Sequence, residues 1–183
     1  MKNLSRLLNP SSIAFIGGGE CDVAIRRTRE LGFTGKIYAI HPKREQLGGV
    51  PTVKSVAELD GPIDAAFIAV KREPTIEIVR QLRAKGCGGA VIYASGFAET
   101  GDAHLQEAML QAADGMPLMG PNCYGFVNGL ARVALWPDEH GIDPSDLATL
   151  RALAEVDHEA EGAAPIDVAE GFLDRFAFIR HLD

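Results

Sequence analysis

The chain has 183 residues, 46% hydrophobic and 23% charged, an ordinary globular composition long enough to bury one core without disulfide or metal staples. Its 18 Lys and Arg against 25 Asp and Glu give a formal charge of −7, which disfavours nonspecific attraction to nucleic acid or an anionic membrane surface, so an anionic ligand must be captured locally. Cys21, Cys87 and Cys123 form no C-x-x-C pair and suggest neither a disulfide framework nor a cysteine-built metal site; a reducing cytosol fits them best.

The opening MKNLSRLLNPSS has no sustained apolar run, and no stretch elsewhere approaches the ~20 residues of a membrane span, so a soluble protein is expected. Short β-branched apolar runs then alternate with segments of helical periodicity. Strands are predicted at Ser12–Ile16, Lys36–Ile40, Asp64–Val70, Gly89–Tyr93 and Pro117–Met119, each followed by Gly, Pro or polar residues. Helices are predicted at about Val23–Leu31, Pro74–Lys85 and Asp102–Ala113, the second with Ile76, Val79 and Leu82 at helical spacing and Pro74 near its start. This rhythm implies an α/β fold, a Rossmann-like, doubly wound, mainly parallel five-stranded sheet. Right-handed crossovers place the carboxyl ends of the strands on one rim, where such folds bind ligands. From about Gly141 the rhythm changes. Asp143-Pro144-Ser145 reads as a helix start, Leu147, Leu150 and Leu153 as a helical stripe, and Phe172, Phe176 and Ile179 as a second helix, so a short helical appendage is expected over 142–183 behind a first domain over 1–141.

The turns at that rim carry the candidate chemistry. Gly17-Gly18-Gly19-Glu20 follows the first strand and leads into a helix, a place where backbone can approach a phosphate and unpaired amides point at it. The full G-x-G-x-x-G spacing is absent, since Cys21-Asp22 replace the third glycine, and a merely tight strand-to-helix turn is the alternative. His41-Pro42-Lys43-Arg44 follows the second strand and puts two cations where an NAD enzyme usually offers a carboxylate to the ribose. Lys43 and Arg44 either pair with a phosphorylated ribose, of CoA or of NADP, or are solvated loop cations. Val70-Lys71-Arg72 and Tyr93-Ala94-Ser95-Gly96-Phe97-Ala98-Glu99 end the third and fourth strands, with Ser95 a hydrogen-bond donor and Gly96 a source of exposed amides. Gly120-Pro121-Asn122-Cys123-Tyr124-Gly125 ends the fifth.

That last string, with Leu7-Leu8-Asn9-Pro10-Ser11-Ser12-Ile13, the His41-Pro42-Lys43 turn and Ala94-Ser95-Gly96-Phe97-Ala98-Glu99-Thr100-Gly101, resembles the CoA-binding domain of the NDP-forming acyl-CoA synthetases, namely the ADP-forming acetyl-CoA synthetases and the succinyl-CoA synthetase α subunit. The resemblance covers about residues 4 to 141. It implies a CoA lying across the strand ends, with its phosphates near Gly17, Gly18, Gly19 and Lys43, its adenine near Val70 and its thiol near Asn122 and Cys123. Pro42, Arg44, Ser95 and Gly96 complete the expected contacts. A nucleophilic Cys123 is not expected, because no His or Asp partner is identifiable and the family reaction runs through a phosphohistidine.

The synthetases continue into a domain bearing that histidine and an ATP-grasp part that binds nucleotide and Mg²⁺. Neither is recognisable in the roughly 42 residues after Gly141. His158 lies in a charged helical stretch, and Asp157, Glu159 and Glu161 alternate along it without sharing a face, so no metal site is expected. The reading is therefore a CoA or acyl-CoA binding module, not catalytic alone. The alternatives are a subunit of a split ADP-forming ligase, completed by phosphohistidine and ATP-grasp partners, or an NAD(P)(H)-binding Rossmann regulator.

Overall fold

The structure, a computed structural model, describes residues 4–142. A short α1 (Ser5–Leu8) precedes β1 (Ser12–Gly17), α2 (Gly19–Glu30), β2 (Lys36–Ile40), β3 (Gln46–Leu47), β4 (Val50–Val53), β5 (Ala65–Ala69) and α3 (Arg72–Ala84). There follow β6 (Ala90–Ile92), α4 (Ala103–Ala113), β7 (Leu118–Met119), β8 (Phe126–Asn128) and β9 (Val133–Leu135). The main sheet runs β3-β4-β2-β1-β5-β6-β7, and β3 is antiparallel to β4 while every other pair is parallel.

The doubly wound α/β class is as the sequence predicts, but the sheet has seven strands rather than five. The two additions are the hairpin β3 and β4, whose two and four residues are too short and too mixed to make an apolar run. The hairpin is hung on α2: the Gly48 amide donates to Asp22 Oδ1 at 2.7 Å and Arg29 Nη1 donates to the Gly48 carbonyl at 2.7 Å. Packing on a helix, rather than a pattern of its own, makes these residues strand.

The central strands are buried on both faces, which is why they read as continuous apolar runs. Along β1 the faces alternate: Ile13 and Phe15 pack toward Cys21, Ala24 and Ile25 of α2, and Ala14 and Ile16 toward Val79 and Leu82 of α3 and Met109 of α4. A second antiparallel pair, β8 and β9, closes the α2 side. There the buried Thr28 of α2 donates its hydroxyl to the Ala134 carbonyl at 2.7 Å and accepts from the Ala134 amide at 3.3 Å, so a helix side chain serves both polar groups of a buried strand residue.

Two helices start earlier than their apolar stripes suggest, α2 at Gly19 and α3 at Arg72. Pro74 is the third residue of α3, inside the first turn, where a missing N–H costs no intrahelical bond. The expected helices beyond Gly141 lie outside the described residues. Among the described residues, no helix is long and apolar enough to cross a membrane.

Candidate functional site

Parallel pairing aligns the strand ends. Ile16 pairs with Ile40, Gly17 with Ala69, Ile68 with Ile92 and Val91 with Met119, so the turns after β1, β2, β5, β6 and β7 share one edge. The chain leaves β1 toward β2 and later returns to the other side of β1 as β5, which makes the β1/β5 boundary the topological switch point. A cleft of about 660 Å³ opens there, lined by Gly18, Glu20, Val70, Lys71, Tyr93 and Ser95 among others.

The three glycines of the first turn have different jobs. A side chain on Gly17, at φ +151°, would run into the Ala69 carbonyl of the neighbouring strand, so this glycine is required by the sheet. At Gly18 and Gly19 a Cβ would meet nothing within 4 Å, and Gly18 faces the cleft. Gly18 is also the residue before α2, and no side chain caps that helix end. Its first amides are therefore unclaimed by the helix and lie at the positive end of a 12-residue dipole. Glu20, in the first turn and in the cleft, already supplies one negative charge to that dipole.

Beyond β1, His41 Nδ1 accepts the amides of Lys43 and Arg44 at 3.0 and 2.9 Å, tightening the turn after β2. Pro42, Lys43 and Arg44 are exposed. No carboxylate of the described residues forms an ion pair with Lys43 or Arg44. They share the rim with the cleft but do not line it.

On the other side, Arg72 braces the turn after β6. Its Nη1 donates to the Gly96 carbonyl at 2.6 Å and to Asp102. Hydrogen bonds that Arg72 donates to the Glu73 carboxylate, then to Asp102, raise its guanidinium above its already high ordinary value, so the brace stays cationic. Glu99 accepts the amides of Gly96 and Phe97 at 2.7 and 3.1 Å. The Gly96 amide, expected to be exposed to a ligand, is thus engaged by a carboxylate three residues on. Val70 and Ser95 do line the cleft.

The turn after β7 is stitched to β6: the Asn122 amide donates to the Ala94 carbonyl at 2.8 Å and the Cys123 amide to the Ile92 carbonyl at 3.1 Å. Asn122 is exposed at φ +53°. Burial pushes the half-buried Cys123 thiol up, only partly offset by the Gly125 backbone, and this favours the neutral thiol over a thiolate. Both Asn122 and Cys123 lie on the same rim, beside the cleft lining rather than in it.

Sequence reasoning did not single out Glu20 or Tyr93 as cleft residues. Tyr93 directly follows β6 and belongs to an aromatic ladder through the molecule. Ring centroids are 6.3 Å apart from Phe15 to Phe67, 6.0 Å from Phe67 to Tyr93, 5.5 Å from Tyr93 to Tyr124 and 5.0 Å from Tyr124 to Trp136. Its residues are far apart in sequence, so no local spacing announces it.

The rim as a whole offers amides at a helix terminus, two loop cations and a hydroxyl, which is equipment for holding a phosphorylated ligand. Comparison with known proteins agrees. The family model of the CoA binding domain matches residues 12–129. The chain belongs to this CoA-binding domain family. Among its relatives is a trans-feruloyl-CoA synthase from an unknown prokaryotic organism, 39% identical over 143 residues, which are 73% of this chain and 20% of the relative. The ADP-forming acetate–CoA ligase of Methanocaldococcus jannaschii is 34% identical over 65% of this chain and 18% of its own length. The α subunit of ADP-forming acetate–CoA ligase II of Pyrococcus furiosus is 32% identical over 68% of this chain and 29% of its own. Among solved structures, the apo form of the dinucleotide-forming acetyl-coenzyme A synthetase 1 of Candidatus Korarchaeum cryptofilum superposes with a TM-score of 0.71 at 30% identity, covering 75% of this chain and 31% of that one. The CoA-binding domain therefore spans about a fifth to a third of the length of these relatives.

Proposed function

We propose that this CoA-binding domain holds CoA or an acyl-CoA across the rim of strand ends and serves as the binding module of an NDP-forming acyl-CoA synthetase. The observation that carries the reading is the uncapped amino end of α2, reached through two glycines whose missing side chains leave open space, at the cleft on the switch point. There the backbone of Gly17, Gly18 and Gly19 receives the diphosphate, with Gly17 holding the turn against β5. Lys43 and Arg44, positioned by Pro42 and His41, pair with the ribose phosphate. Val70 packs on the adenine, and Ser95 and Gly96 bound the pantetheine path toward Asn122 and Cys123 at the thiol end. Residues 1–141 are the binding domain in this reading and 142–183 an appendage. The names of the relatives include both feruloyl and acetate groups, so family membership leaves the acyl group open.

Phosphoryl transfer requires groups beyond this rim. Cys123 is influenced by burial and the Gly125 backbone and by no charged side chain, and among the described residues no cluster of His, Cys, Asp and Glu could hold a metal ion. The similarity to a relative that is itself a separate α subunit favours a second reading, a split ligase in which partner chains bring the phosphohistidine and the ATP-grasp unit. A cytosolic location accords with the free thiols of Cys21, Cys87 and Cys123.

Calorimetric titration with CoA, acetyl-CoA, NAD(H) and NADP(H) in parallel tests the reading. CoA or acetyl-CoA is expected to bind most tightly. Tighter binding of a nicotinamide dinucleotide would replace this reading with the Rossmann regulator.

A further inference from the structure

The aromatic ladder is buried at Phe15 and Phe67, both fully inaccessible, and is most exposed at Tyr124, which is 48% exposed. The inner rings are packed in the core, whereas Tyr124 leaves about half of its surface open beside the cleft. Tyr124 follows Cys123 directly and meets Tyr93, a lining residue of the cleft, edge-on at 5.5 Å, while its other neighbour is Trp136 at 5.0 Å. The backbone of the turn that carries it is fixed beside β6 by the Asn122 and Cys123 amides, and the ring itself is set by its contacts with Tyr93 and Trp136.

We infer that Tyr93, Tyr124 and Trp136 form the platform for the acyl part of the thioester and give the site a preference for flat aromatic acyl groups over short aliphatic ones. The inference rests on the CoA reading, which puts the thioester end beside Asn122 and Cys123. A planar acyl group leaving that point lies against the exposed part of Tyr124, in offset or edge contact with rings already set in tilted and edge geometry. An acetyl group is too small to reach it. Aromatic contacts of this kind contribute about 0.5–1.5 kcal/mol beyond area burial, which corresponds to a roughly two- to tenfold preference.

The test compares CoA, acetyl-CoA, cinnamoyl-CoA and cyclohexanecarbonyl-CoA by calorimetry on the full chain and on Tyr124→Leu. The expected result is cinnamoyl-CoA binding roughly two- to tenfold tighter than acetyl-CoA and tighter than the equally bulky non-aromatic thioester. Tyr124→Leu should abolish that advantage while leaving CoA affinity unchanged; the CoA titration also reports whether the variant is folded. The only tryptophan, Trp136, supplies a second readout, because a cinnamoyl group on the platform should quench its fluorescence and CoA should not. Equal affinities of the thioesters, or equal losses for all of them in Tyr124→Leu, would overturn this inference and leave the CoA reading standing. Failure of CoA itself to bind would overturn the CoA reading and this inference with it.

Discussion

Gly17 and Gly18 are adjacent and identical in type, yet the structure separates them. Gly17 has a carbonyl where a Cβ would go, so Gly17→Ala should destabilise by about 2–4 kcal/mol, read by urea unfolding. Gly18 has open space where a Cβ would go, so Gly18→Val should cost far less stability than Gly17→Ala while weakening CoA roughly tenfold, since the branched side chain fills the approach to the α2 amides. A stable Gly18→Val protein with normal CoA affinity would move the phosphate site elsewhere on the rim. Lys43 is exposed, so the bond proposed for it to a ribose phosphate would be partly screened. Lys43→Ala should narrow the difference between CoA and dephospho-CoA by roughly tenfold, about 1.5 kcal/mol, and unequal losses for the two ligands are the signature to measure. The residue types of the rim were legible in the sequence because strand ends and glycine turns are local features. The engagement of the Gly96 amide by Glu99 was not, because whether an amide is free depends on where a carboxylate three residues on happens to turn.

The predicted strands β1, β2, β5, β6 and β7 all form, because burial on both faces leaves an apolar run in the sequence. The hairpin of β3 and β4 and the pair β8 and β9 lack such runs. They owe their conformation to α2, through Asp22 and Arg29 for the first and Thr28 for the second, and those pairings span 19 to 106 residues of sequence. The same long-range logic holds α1. Arg6 donates to Asp64 Oδ1 at 2.8 Å and to the carbonyls of Gly86 and Ile63 at 2.9 Å each, closing the edge opposite the site. Arg6 is 46% exposed, so solvent screening limits its worth, and Arg6→Ala should cost about 1–2 kcal/mol without altering CoA affinity. Burial pushes the Asp64 carboxyl up, but Arg6 and the Ser11 amide outweigh it and hold the carboxyl below its ordinary value. A depressed folded-state value stabilises the fold above the unfolded carboxyl range, near pH 4, and that contribution is lost as pH falls through the folded value. Asp64→Asn should therefore lose stability at neutral pH and show a smaller further loss on acidification than the parent; an unchanged acid profile would assign the acid sensitivity to other carboxylates.

At the scale of the molecule, one strongly negative chain must capture a strongly negative ligand. In the proposed reading the rim resolves that conflict locally, with backbone amides, a helix dipole and the Lys43-Arg44 pair, in a protein whose formal charge is −7. None of these groups moves a phosphoryl group. The chain alone, incubated with ATP, Mg²⁺, CoA and short or aromatic carboxylic acids, should form no thioester, and clear product without an added protein would refute the binding-module reading. Amide hydrogen exchange with and without saturating CoA reports whether CoA lies across the strand ends over the β1/β5 switch point, as proposed. Protection is expected in the turns at Gly18–Cys21, Lys43–Arg44, Val70–Lys71 and Asn122–Cys123, with the opposite edge around Ser11 and Gly35 unchanged. Protection at that opposite edge instead, or none on the rim under saturation, would contradict that placement.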